Sequence, residues 1–300
     1  MKQIASVIPL ARKKKKESSP LSKRQNQIIK LAGDLAEQTR EEAGALGFMS
    51  RLLIMVNLPY RDPGKECKNW WRQNGNVTIN VSTGYDKQTP IGIPYGAYPR
   101  LILAYLITQA VKTQDPTIYL GKSFSHFLTL LDIKKGGKTY KQLQKQLERT
   151  LSAAFAWTYR TDKKWSRTNI QVSSQSQLWW DEKLPEQQSL WETYIRFNMD
   201  FYNEIMRNAV PLDLRVLATL KNSPLGLDLY MFIAWRTFRL NKPVYISWEG
   251  LQEQLGTQHK ELKEFARECK RHVKRIQSIC PTLKIAFPKG RICLYPSYPL

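Results

Sequence analysis

Two stretches of the chain gather cations at spacings that could meet a polyanion. From residue 259 to 275 there are seven Lys or Arg against three Glu, and Lys260, Lys263, Arg267, Arg271, Lys274 and Arg275 recur mostly at three- and four-residue steps. On an α-helix such steps share one face, while Leu262, Phe265, Cys269, Val273 and Ile276 share the opposite one as an apolar stripe. A second helical pattern over residues 139–155 has the stripe Tyr140, Leu143, Leu147, Leu151 and Ala154. Its other face carries Lys138, Lys141, Gln142, Lys145 and Arg149. Each pattern is followed by a hairpin pattern with a basic tip: Arg160, Lys163, Lys164 and Arg167 after the first, Lys289 and Arg291 after the second. Arg and Lys can bind phosphates or guanine edges, and Gln can meet adenine. A charged helix face alone is usually just solvated, and pairs such as Lys260 with Glu264 are ordinary helix surface. Here a basic face followed by a basic hairpin occurs twice, which points to DNA.

The composition agrees. Lys and Arg number 47 against 25 Asp and Glu, a formal +22 with a pI near 9.8. An excess of that size calls for a polyanionic partner, most commonly nucleic acid. A membrane surface would require an amphipathic anchor or a lipidation motif, and the sequence has neither. No apolar run approaches the roughly 20 residues of a spanning helix. The basic run from Arg12 to Lys16 is followed by Glu17, Ser18, Ser19 and Pro20 rather than an apolar stretch, so it is not a secretory signal. Four widely spaced cysteines, Cys67, Cys269, Cys280 and Cys293, fit neither a zinc site nor a disulfide framework. We read them as reduced thiols and the chain as cytoplasmic.

Enzymatic patterns are mostly excluded. Gly121-Lys122-Ser123 looks like the end of a phosphate-binding loop, but that motif needs Gly where Pro116 stands. Nicking enzymes with a nucleophilic Tyr need closely spaced metal-binding histidines, and His126, His259 and His272 are not so spaced. We expect no catalytic residue, no metal site and no cofactor. Of the tryptophans, Trp157, Trp179, Trp191 and Trp235 sit in core patterns, and Trp165 alone is a candidate for base or backbone contact.

The elements that must position these faces repeat one plan. The first copy has an apolar helix at 99–112, a β run at 117–120, a helix capped by Ser123, a turn at Gly136-Gly137, the long helix and strands at 157–160 and 168–178. The second has a helix at 223–239, a β run at 244–247, a short helix at 248–255, a break at Gly256, a long helix at 259–279 and strands at 283–287 and 291–294. This is the order of a winged helix-turn-helix. The fold class is therefore α+β, with two tandem winged helix-turn-helix domains and a flexible basic N-terminal arm. Residues 1–22 form a disordered arm. Residues 23–180 form the first domain with an added helix (Ser22 to Ala45), a strand at 52–58 and a hairpin turning at Asn74-Gly75. Residues 181–190 are a linker, and 191–300 the second domain, opening on a strand near 194–197 and two helices.

From Gly92-Ile-Pro-Tyr-Gly-Ala-Tyr-Pro-Arg-Leu-Ile-Leu-Ala-Tyr105 onward, the sequence resembles the plasmid-encoded RepA replication initiators. The resemblance continues through Thr108-Gln-Ala-Val-Lys-Thr113, Leu120-Gly-Lys-Ser-Phe-Ser-His-Phe127, Gly136-Gly137, the run from Gln142 to Arg149, and Ala153-Ala-Phe155. It implies an initiator that binds repeated double-stranded DNA sites at a plasmid origin, helps open the duplex, and recruits host replication proteins such as a helicase or initiator. It also implies control of its own promoter, with a homodimer as a candidate form. Alternatives left open are a winged-helix transcriptional regulator, a nicking or priming enzyme, and a basic protein of RNA complexes.

Overall fold

Two helices are apolar almost all round: α2 (Ala97–Thr113) and α6 (Pro224–Thr237). A helix without a polar face must be enclosed by the rest of the chain, and the remaining elements surround these two. In a computed structural model, residues 44–120, 128–129, 133, 137–178, 194–257 and 259–297 are described. The expected arm at 1–22, all but the last residues of the expected helix from Ser22, most of the helix capped by Ser123, and the linker at 181–190 lie outside them.

The architecture is mixed α+β. Strand β1 (Leu46–Ser50) leads into the short helix α1 (Arg51–Met55), then the hairpin β2 (Asn69–Asn74) and β3 (Val77–Ser82). Two short strands, β4 (Tyr85–Asp86) and β5 (Thr89–Pro90), precede α2, and β6 (Thr117–Tyr119) follows it. Next come α3 (Gly137–Ser152), β7 (Ala154–Arg160), β8 (Trp165–Gln171) and β9 (Ser173–Gln177). The remainder is β10 (Tyr194–Phe197), α4 (Met199–Asn208), β11 (Ala209–Asp213), α5 (Leu214–Leu220), α6, β12 (Val244–Ser247), α7 (Trp248–Leu255), α8 (Leu262–Gln277), β13 (Ile285–Ala286) and β14 (Arg291–Leu294).

The sheet pairings separate the two copies of the plan. In the second, β12 pairs with β14 in a sheet of order β12-β14-β13, so the β run closes directly on the hairpin. In the first, β6 pairs instead with β10 in the order β6-β10-β9, and the hairpin β7–β8 joins β2 and β3 in the order β2-β3-β7-β8. The two halves also share a sheet, because β1 runs antiparallel to β11 with Leu46 opposite Asp213. One apolar core extends from Met49 to Leu294.

Polar contacts tie the halves at depth. Arg100 on α2 donates from Nε and Nη2 to the two carboxylate oxygens of Asp228 on α6, each at 2.7 Å, with both residues nearly fully buried. Its remaining donors reach the carbonyls of Leu58 (2.7 Å), Gly96 (2.6 Å) and Pro59 (3.4 Å), and its guanidinium stands 5.1 Å over the Tyr60 ring. Tyr60 in turn donates its hydroxyl to Leu255 O at the end of α7. Arg72 on β2 reaches the same helix end, donating to Glu253 O and Gln254 O at 2.5 and 2.6 Å. Glu253 O also accepts from Gly256 N at 3.2 Å, and the donors from β2 and Tyr60 add to this local cap at a helix end whose last carbonyls lack i+4 amides. Arg72 packs so closely on Gly256, which holds a left-handed φ of 62°, that a Cβ at that position would collide with its guanidinium.

Several boundaries differ from the sequence expectation. The apolar run at 52–58 is mostly helix α1 rather than a strand; short apolar runs carry no decisive periodicity. The hairpin turns on Gly75-Asn76 instead of Asn74-Gly75, since Asn74 pairs with Val77 and Gly75 takes the positive φ of 53°. The first long helix stops at Ser152, because Ala154 and Phe155 pair with Ser82 and Val81 as part of β7.

Replacing Asp228 with Asn leaves the buried guanidinium without its counter-ion, and we expect a loss of about 3–5 kcal/mol in urea unfolding. The double variant Arg100→Met/Asp228→Leu, which buries no charge, should lose less than the single variant.

Candidate nucleic-acid interface

Helix α8 owes its position to a buried stripe of Phe265, Ala266, Cys269, His272, Val273 and Ile276 packed toward α6 and α7. The opposite face is open: Lys263, Arg267, Arg271 and Lys274 are exposed, as is Lys260 just ahead of the helix. Arg275 is half-buried, on the border of the two faces. Lys274 and Arg275 in the last turn also complement the negative end of the helix dipole. Glu264 and Glu268 lie 3.6 and 3.1 Å from Arg267 and Arg271 across single helical turns. Such exposed pairs contribute little and yield readily to phosphate.

Beside this face stands the β13–β14 connection, where Lys289 and Arg291 are exposed around Gly290, whose φ of 75° suits the turn. The helix and the turn flank an open groove bordered by Trp248, Lys263, Arg267, Lys270 and Gly290. Lys270, which the sequence pattern did not single out, holds its Nζ 5.5 Å from the Trp248 ring and 5.8 Å from the Phe287 ring, which stack at 6.2 Å. Its place one turn from Arg267 and Lys274 was legible as spacing, but its proximity to the Cys269 stripe hid its access to the groove.

The first basic face is smaller than the helical periodicity predicts. Lys141, Gln142 and Lys145 are exposed, and Lys138 lies on the first turn of α3 with its side chain outside the described set. Arg149 is not on the surface: it is 3% exposed, and its guanidinium donates to Ile91 O and Ile93 O at 3.2 Å each. It also stands 5.1 Å over the Tyr95 ring and 3.7 Å from Asp62. The segment before α2 folds across this end of α3, with Tyr95 N donating to Gln146 Oε1, and takes Arg149 into the structure. Arg149 is therefore a structural cation and is withdrawn from the interface. At the first hairpin tip Arg160, Lys163, Lys164 and Arg167 are all exposed, around a turn closed by bonds between Thr161 and Lys164. Trp165 is 58% exposed at its base.

The histidines serve the frame. Buried His272 places Nε2 3.1 Å from Ser223 Oγ, at the start of α6, and 3.5 Å from Glu268. His259 Nε2 lies 2.9 Å from the other Glu268 oxygen. Partial burial opposes the Glu268 charge, but hydrogen bonds from both imidazoles hold its carboxyl below the ordinary value. Burial lowers the basicity of His272, outweighing the opposing pull of Glu268. Among the described residues there is no cluster of His, Cys, Asp and Glu able to hold a metal, and no helix is long and apolar enough to cross a membrane. The four cysteines are unbridged; burial pushes the Cys280 thiol up to about 12 and raises that of Cys269 as well, so neither is a ready nucleophile.

An α+β frame with a basic helix and hairpin at its surface is thus the class that fold and site define. The family model of the plasmid-encoded RepA protein matches residues 93–250, and the chain belongs to that family. Comparison with curated protein sequences finds no match. Among solved structures, the chain is similar to domains 2 and 3 of RctB as a selenomethionine derivative, with a TM-score of 0.55 and 13% identity over 81% of this chain and 96% of that one. A second crystal structure of RctB domains 2–3 gives a TM-score of 0.52 and 14% identity over the same shares. At these identities the likeness is one of fold.

Because folded His272 binds a proton less readily than an unfolded histidine, stability should fall as pH drops through roughly 6.5. Glu268, held below its ordinary value, adds a separate loss only below about pH 4.5. Urea midpoints at pH 7.5 and 5.5 should therefore differ for the natural chain, and the difference should shrink in His272→Gln.

Proposed function

We propose that this chain is a plasmid replication initiator that binds repeated double-stranded DNA sites at an origin, helps to open the duplex and recruits host replication proteins, a helicase or an initiator. In this reading it works in the cytoplasm, controls its own promoter as a homodimer, and has no catalytic chemistry of its own. Two winged-helix units, within residues 23–180 and 191–300, do the binding: α8 and α3 enter major grooves while the tips of β13–β14 and β7–β8 lie along phosphates. The observation that carries the proposal is the pairing of the exposed Lys263, Arg267, Arg271 and Lys274 with the Lys289–Arg291 turn across one groove. Family membership supports the origin as the place of action.

Neutralising a phosphate releases its condensed counterions, so the salt dependence of affinity measures how many phosphates the protein neutralises. Changing Lys263, Arg267, Arg271 and Lys274 to Gln should flatten the slope of log affinity against log salt by about 0.9 for each phosphate no longer neutralised. Arg149→Gln should leave that slope unchanged. A four-residue variant with the natural slope would remove α8 from the interface.

A further inference from the structure

The four-stranded sheet β2-β3-β7-β8 has one face on the core, through Ile79, Val81, Phe155, Trp157 and Ile170. Alternation places Trp71, Gln73, Asn80, Thr158, Arg167 and Asn169 on the other face. Trp71 is 66% exposed on the outer edge strand, and Trp165, at the opposite corner, is 58% exposed. Both indoles face solvent on a regular sheet; Trp71 takes no part in the duplex interface described above, and Trp165 stands at the base of the β7–β8 tip that interface uses. Counting strand spacings and residue rises, the two indoles stand ~20 Å apart diagonally across the face.

Beside Trp71, in its own cross-strand row and the next row away from Trp165, the surface is hollowed by small side chains. Ser82, Ala154 and Ala156 line a groove walled by Asn80, Arg167 and Asn169, and Asn80 Oδ1 there is shielded and has no hydrogen-bond partner. The four strands contain no Asp or Glu, while Arg160 and Arg167 lie on the outward side. The face therefore combines stacking rings, amide and hydroxyl groups, and positive charge.

We propose that the outer face of this sheet is a stacking platform for unpaired DNA, holding one separated strand of the duplex that α8 and α3 engage. The inference rests on the duplex-binding reading above and deepens it. Base faces stack on Trp71 and Trp165, and base edges meet the amides of the groove. Arg160 and Arg167, at the base of the tip whose Lys163 and Lys164 face the duplex, pair with phosphates where the separated strand leaves it. The chain's own N-terminal segment is a poor occupant, because its run from Arg12 to Lys16 has the same sign as the face.

The test uses the full chain and two labelled probes: oligo-dT of about 20 nucleotides, and the origin-repeat duplex. Trp71→Ala, on an edge strand and outside the duplex interface, should weaken oligo-dT binding roughly tenfold and leave duplex affinity and the unfolding midpoint unchanged. Trp71→Phe should retain most of the oligo-dT affinity, because it keeps a ring. Natural oligo-dT affinity in Trp71→Ala would overturn the proposal, as would tighter binding of oligo-rU than of oligo-dT by the natural chain. Oligo-dT binding that depends on Trp71, in a chain that fails to bind the duplex, would support the platform and refute the duplex reading.

Discussion

The bidentate pair between Arg100 and Asp228 fixes the rest of the arrangement. It lies between α2 and α6, the two helices with no polar face, so the two charges must answer each other at depth. Buried charges are tolerable when paired and fully hydrogen-bonded, and Arg100 meets that condition by also taking three backbone carbonyls. Two of those carbonyls, Leu58 and Pro59, belong to the segment carrying Tyr60, and Tyr60 caps α7. Through this chain of contacts the register of α2 against α6 is transmitted to α7 and α8. The basic face of α8 is thus positioned from the centre of the molecule rather than by its own surface charges.

The two basic helices are unequal for physical reasons. On α8 the buried stripe is narrow and the cations stand clear of it, next to a short hairpin. On α3 the segment around Ile91–Tyr95 covers the C-terminal half, burying Gln146, Arg149 and Thr150 as well as the apolar stripe. What remains exposed, Lys141, Gln142 and Lys145, is short and less charged. The RepA family match covers α2, α3 and α6 but ends at Gly250, before α8, so the strongest cationic surface lies beyond the segment that establishes the family.

Local signals made the second half readable from sequence. Ser247 caps α7 by accepting from Gly250 N, Gly256 ends it in a left-handed conformation, and β12, α7 and β14 fall on the expected residues. The first half is built on distant pairings that no local pattern encodes. Strand β1 has its partner in β11, and β6 pairs with β10 rather than with the nearby hairpin. Arg149 follows the helical spacing of a surface residue, and only the fold of a separate segment over it makes it internal. The β2–β3 hairpin was legible from its turn residues and alternation, but not which face of it would be covered, so Trp71 carried no functional signal in sequence.

The central claim is that the exposed face of α8 lies in the major groove of the origin repeats. It is tested most directly by tethering a photoactivatable group to Arg267→Cys in a Cys67→Ser background, where the three other cysteines are buried, and mapping the crosslinked bases. We expect crosslinks at the same major-groove positions in every repeat. Crosslinks scattered evenly over repeats and flanking DNA, or none under conditions where the repeats are bound, would contradict the account.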